Sequence, residues 1–112
     1  GDHALVSSLI SGATYSDDQI RDTMRKCFSD NKYILDPHGA CGFRALSEQL
    51  QAGEYGVFCE TAHPAKFKET VEATIGAEVE IPERLAAFMK GKKQSVEMAK
   101  DFSSFKDFLM QE

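Results

Sequence analysis

Two short stretches hold most of the side chains that could do chemistry. Asp36-Pro37-His38-Gly39 sets a carboxylate and an imidazole around a proline, and Glu60-Thr61-Ala62-His63-Pro64 sets a carboxylate, a hydroxyl and an imidazole ahead of another. Each follows an apolar run, Tyr33-Ile34-Leu35 or Val57-Phe58-Cys59, and each leads into helical periodicity. If the two runs are parallel strands, both stretches lie along the carboxyl edge of one sheet, where open α/β folds bind ligands. The free amides and positive dipole end of a helix start favour anions at such an edge. Each residue also has a purely structural reading. Asp36 can be a turn former before Pro37, Thr61 can cap the following helix, and His38 and His63 can be ordinary polar loop residues.

The same residues allow a rival reading, a free-standing small α/β binding module that could hold zinc. His38 and Cys41 form one short pair, and Cys59 and His63 another, so four zinc-type ligands are available at loosely fitting spacings. Against it, Cys41 falls within a helical turn and Cys59 within an apolar run, where a thiol serves as a small hydrophobe. Cys27 lies on an apolar helical stripe with no base placed beside it, which argues against a cysteine nucleophile. Gly39 and Gly42 do not make a dinucleotide fingerprint.

The elements that must position these groups are legible as periodicity. Leu5, Val6, Leu9 and Ile10 form a short helical stripe, broken at Ser11-Gly12. Ser16 and Gln19 make a capping box that opens a helix with Ile20, Met24, Cys27 and Phe28 on one face, ending near Asp30-Asn31. Tyr33 to Leu35 is expected as a buried strand stopped by Pro37. A helix from about Gly39 to Gln51 carries Phe43, Leu46 and Leu50. A second strand, Tyr55 to Glu60, lacks alternation, which suits a parallel strand covered on both faces. Pro64 is placed to open a helix with Phe67, Val71 and Ile75 that ends at Gly76, and Pro82 opens a shorter one with Leu85, Phe88 and Met89. Gly91-Lys92-Lys93 reads as a turn. Asp101 caps a last helix bearing Phe102, Phe105, Phe108 and Leu109. Strand, helix, strand predicts a right-handed parallel crossover. Two strands alone make a poor sheet, so the expectation is an α/β fragment of a larger fold, with the ligand edge facing polypeptide outside this sequence.

Composition bounds the rest. The 112 residues suit one domain, expected as a single piece over residues 1–112, and the net charge of -5 disfavours nucleic acid and acidic membranes as partners. No apolar run approaches the ~20 residues a membrane span needs. Three widely spaced cysteines make a poor disulfide framework and fit a reducing, cytoplasmic compartment. The start at Gly1-Asp2-His3 suggests an excised segment.

The run Thr61-Ala62-His63-Pro64-Ala65-Lys66-Phe67 matches the hallmark of the C-terminal region of threonine synthases, and Asp36-Pro37-His38-Gly39-Ala40-Cys41-Gly42 resembles the segment preceding it. Gly53-Glu54-Tyr55-Gly56, Ile81-Pro82-Glu83-Arg84-Leu85 and the Asp101-Phe102 region are similar to that family as well. The resemblance covers residues 14–112, with residues 1–13 a less diagnostic lead-in.

The resemblance implies a pyridoxal-phosphate enzyme of the tryptophan-synthase-like, type II fold, here represented by a mostly helical C-terminal fragment with a short parallel strand pair. The implied reaction converts O-phospho-L-homoserine and water to L-threonine and phosphate. Thr61 matches the position whose hydroxyl faces the cofactor's pyridine nitrogen, and Asp36 and His38 are expected to line the cofactor region. His63 and Lys66 are carried over as candidate substrate contacts, with Lys66 slightly better read as a lysine paired with a surface carboxylate. Gly39 stands where a larger residue is more usual. The family's Schiff-base lysine lies upstream of this region. Lys106, in Phe105-Lys106-Asp107-Phe108, imitates its immediate neighbours but lacks the family's flanking glycine and His-Gly-Pro-Thr stretch. No catalytic residue is therefore expected within this sequence, and the fragment alone is expected to be inactive, its natural partner being the rest of its own polypeptide.

Overall fold

The computed structural model describes residues 1–111. Its chain divides into two compact units, Gly1–Pro82 and a second from Glu83 on.

The first unit is built on α2, Asp17–Asn31. Ser16 caps it as the sequence predicts. The Gln19 amide donates to Ser16 Oγ at 3.4 Å and the Ser16 amide donates to Gln19 Oε1 at 2.9 Å, while Asp17 and Asp18 lie at the positive end of the helix dipole. The helix ends at Lys32, which adopts the left-handed conformation (φ 57°) usually left to glycine. Its buried face, Thr23, Met24 and Cys27, packs against α3, Pro37–Gln49, and α4, Lys68–Ile75. Arg44 ties α3 to α2: its Nη1 donates to the Gln19 carbonyl at 3.3 Å and its Nε to Glu48 at 2.8 Å, and its guanidinium lies over the Tyr15 ring. Leu35, Ala40, Ala65, Val71 and Val79 complete the core. Before α2 lies α1, His3–Leu9, capped by Asp2, whose expected stripe of Leu5, Val6, Leu9 and Ile10 is exposed.

The expected parallel strand pair does not form among the described residues. Residues 33–35 and 55–60 run without helix or ladder. A strand exists only through hydrogen bonds to a neighbour, and two short segments joined through a helix have little reason to pair alone. The first segment still behaves as an interior element, with Leu35 fully buried. The second does not: Tyr55 is 100 % and Val57 90 % exposed, so the expected cover on both faces is missing here. The helix expected from Pro64 begins as a single 3-10 turn, Pro64–Phe67, and continues as α4 to the left-handed Gly76 (φ 67°).

The second unit holds α5, Glu83–Met89, and α6, Phe102–Leu109. Asp101 caps α6 as predicted, accepting from the Ser104 amide at 2.9 Å. No described side chain of either helix is buried. Phe102, Phe105 and Phe108 share a stripe on α6 that is open to solvent, and Lys106 beside them is exposed.

Candidate functional site

Both polar turns of the sequence lie in the first unit, and they meet. Asp36 is fully buried and serves as the N-cap of α3. Its Oδ1 accepts from the His38 amide at 2.9 Å and its Oδ2 from the Gly39 amide at 3.3 Å. His38 Nδ1 lies 3.0 Å from the same Oδ1, so the carboxylate accepts there too and Nδ1 carries the proton. The His38 ring is exposed at the rim and packs against Phe67 of the second turn, with centroids 5.2 Å apart.

Across from Asp36 stands Glu60, the carboxylate of the second stretch, to which the sequence assigned no role of its own. Both of its carboxyl oxygens are buried and neither has a hydrogen-bond donor. Burial, reinforced by the Asp36 carboxyl and its charge, pushes the Glu60 carboxyl from its usual 4.5 to about 7. Burial also pushes Asp36 upward, but the neighbouring Glu60 carboxyl and the hydrogen bonds from His38 and the Gly39 amide outweigh it and hold Asp36 below the usual carboxylate range. The two carboxyls therefore split into an ionised Asp36 and a proton-holding Glu60. An acidic residue closing an apolar run was the signal available in the sequence. Its partner was not visible, because the contact spans two turns.

Thr61 follows Glu60 and is exposed. Its hydroxyl has no hydrogen-bond partner among the described residues, and it borders an open cleft of about 340 Å³ shared with Tyr33, Glu60, Ala62, His63 and Pro64. Thr61 does not cap the next helix. His63 does so, its Nδ1 accepting from the Ala65 amide at 3.1 Å, which leaves Nε2 as the ring's donor. Lys66 is exposed and pairs with no described carboxylate. Tyr33, expected as a buried strand residue, instead stands between this cleft and an apolar one of about 500 Å³ lined by Cys27, Asn31, Phe43, Phe58 and Glu60. Burial, with the nearby Glu60 charge, raises the Tyr33 hydroxyl above its ordinary value.

The zinc reading fails on geometry. Among the described residues no three histidine, cysteine or acidic side chains converge as a metal site. His38 faces Asp36, Cys41 Sγ donates to the Pro37 carbonyl of its own helix, His63 is occupied with Ala65, and Cys59 points to solvent.

The arrangement is thus a capped helix start and an adjoining turn presenting one free hydroxyl, two imidazoles and one lysine. Residues 39–109 match the family model described as threonine synthase, C-terminal. The chain belongs to the threonine synthase family. It is 45 % identical over 98 residues to the threonine synthase of Serratia marcescens and 40 % identical over 98 residues to that of Escherichia coli, each alignment covering 88 % of this chain and 23 % of the relative. The chain therefore spans about a quarter of the length of the threonine synthases it matches. The crystal structure of E. coli threonine synthase superimposes with a TM-score of 0.83 at 38 % identity, over 93 % of this chain and 24 % of that one. A second solved structure, a threonine synthase from Brucella melitensis described as bound to pyridoxal phosphate, shares the fold with a TM-score of 0.67 at 24 % identity, over 95 % of this chain and 26 % of that one. Among the described residues, no helix is long and apolar enough to cross a membrane.

Proposed function

We propose that these residues form the C-terminal part of a cytoplasmic threonine synthase that converts O-phospho-L-homoserine and water to L-threonine and phosphate with pyridoxal phosphate. The observation that carries the reading is Thr61: a hydroxyl at the head of the Thr61–Phe67 run, unengaged by any described residue, bordering an open cleft. Its chemistry fits the cofactor's ring nitrogen. A neutral hydroxyl at that nitrogen leaves it largely unprotonated, whereas a carboxylate would draw a proton onto it. Pyridoxal phosphate, when bound, supplies the electron sink for carbanion chemistry at the substrate. This chain supplies position. Asp36 is too buried to touch a ligand, and it acts by fixing the start of α3 and the His38 ring through the bonds at 2.9–3.3 Å. His38, exposed at the rim, borders the cofactor region. His63 presents Nε2–H, and the uncommitted Lys66 presents a point charge that suits a phosphate group. The lysine that links the cofactor belongs to the rest of the polypeptide, which is also this chain's structural partner.

Phosphate release from O-phosphohomoserine by the full-length protein tests the activity directly. Thr61→Val keeps the shape of the side chain and removes the hydrogen bond, and it is expected to lower turnover about tenfold with little change in thermal stability. Residues 1–112 alone are expected to show no turnover and to lose pyridoxal phosphate on gel filtration. Retention of the cofactor by this piece, or full activity in Thr61→Val, would overturn the assignment.

A further inference from the structure

Glu60 carries an inference that goes beyond the proposed activity. Its carboxyl group lies directly over Gly39. A Cβ built on that glycine would come within 2.0 Å of Glu60 Oε2, 2.4 Å of Cδ and 2.7 Å of Oε1. Gly39 sits inside α3 with ordinary backbone geometry, where glycine is a poor helix former, so its fitness there lies in the space it leaves. That space holds a carboxyl with no donor for either oxygen. As an anion Glu60 would be an orphan beside a second buried carboxylate, an arrangement that is strongly unfavourable. As an acid it becomes a donor, and the Asp36 carboxylate, whose Oδ2 lies 3.3 Å from the amide of that same Gly39, is the acceptor beside it.

We propose that Glu60 is a positioning residue: seated in the gap left by Gly39, it donates its carboxyl proton to Asp36 and clasps the turn bearing Thr61 to the N-terminus of α3. The groups that face it are consistent with this. Asp36 is the nearest, with His38 behind it on α3. Tyr33 and, from α2, Cys27 feel its charge as repulsion. No lysine or arginine among the described residues pairs with it, so nothing nearby rewards its ionisation. Gly39 and Glu60 form one device, neither explicable without the other.

A double-mutant cycle in the full-length protein tests the clasp through thermal unfolding at pH 6 and pH 8, independently of catalysis. Gly39→Ala should lower the melting temperature by several degrees when Glu60 is present and by little or nothing in the Glu60→Ala background. If Gly39→Ala fails to fold, recovery of folded protein in the double variant is the expected result. Glu60→Gln, whose amide still donates to Asp36 but cannot ionise, should flatten the decline in melting temperature between pH 6 and pH 8. An equal loss from Gly39→Ala with and without Glu60, no recovery in the double variant, or an unchanged pH slope in Glu60→Gln would overturn the clasp.

Discussion

Replacing Asp36 probes the hinge on which both turns depend. Asp36→Ala removes the cap of α3 and strands the His38 and Gly39 amides, bonded at 2.9 and 3.3 Å, at a helix start whose Gly39 is buried. Loss of an N-cap costs about 1 kcal/mol, and leaving a buried amide unsatisfied adds about 1–3 kcal/mol. Relief of Glu60 from a neighbouring negative charge returns part of this, so a net loss of about 1–3 kcal/mol is expected. At about 1.4 kcal/mol per factor of ten, amides of the first turn of α3 should exchange with deuterium about 5- to 150-fold faster. Asp36→Asn separates the contributions. Asparagine caps as well as aspartate, and its amide group can donate to Glu60, which then ionises without an anionic neighbour. Exchange should rise less than about tenfold, and the pH dependence contributed by the pair should shrink. Hydrogen exchange read by mass spectrometry over the α3 peptide checks both variants. Equal acceleration in Asp36→Ala and Asp36→Asn would refute the view that hydrogen bonding, with charge secondary, holds this turn. Acceleration below about threefold in Asp36→Ala would refute the cap itself.

Three further outcomes are expected. Leu35→Ala, at a fully buried position, should destabilise the first unit by about 2–5 kcal/mol in urea titration. The two left-handed helix ends should respond in opposite directions: Gly76→Ala should cost about 1 kcal/mol, while Lys32→Gly should gain up to about 1 kcal/mol, since Lys32 now bears the strain (φ 57°) that Gly76 (φ 67°) avoids. For pH, the sign follows from the direction of each shift. Glu60, raised to about 7, binds its proton more tightly folded than unfolded, so its contribution is complete below about pH 4.5 and is lost as pH rises to about 7. The lowered Asp36 contributes above the ordinary aspartate range and loses its contribution as pH falls through and below that range. Stability measured from pH 4 to 8 should therefore decline toward the alkaline side by about 1–3 kcal/mol from this pair, and a rise over that window would contradict the assignment of the proton to Glu60.

What the sequence disclosed, and what it concealed, divides along the range of the interaction concerned. The capping box at Ser16 and Gln19, the Asp101 cap and the stop at Gly76 involve groups within a few residues of one another, and the structure shows all three. The strands failed because a ladder is a property of two segments: Tyr55 and Val57 are apolar enough to be buried, but no described neighbour covers them. The site followed the same division. Asp36, His38, Thr61 and His63 stood out by type beside prolines, and their turns do adjoin. The fact that Asp36 caps a helix while His63, rather than Thr61, caps the next turn depends on side-chain geometry that residue type leaves open. The role of Glu60 was missed for a stronger reason. Its significance lies in what Gly39, twenty-one positions earlier, does not have. An absent side chain gives no signal in hydropathy, charge or periodicity, and Gly39 by itself reads as a weak point in a helix. Only when the backbone brings the two turns together does the missing Cβ become the space that a carboxyl group fills, and only then does the unusual protonation of that carboxyl follow from its surroundings.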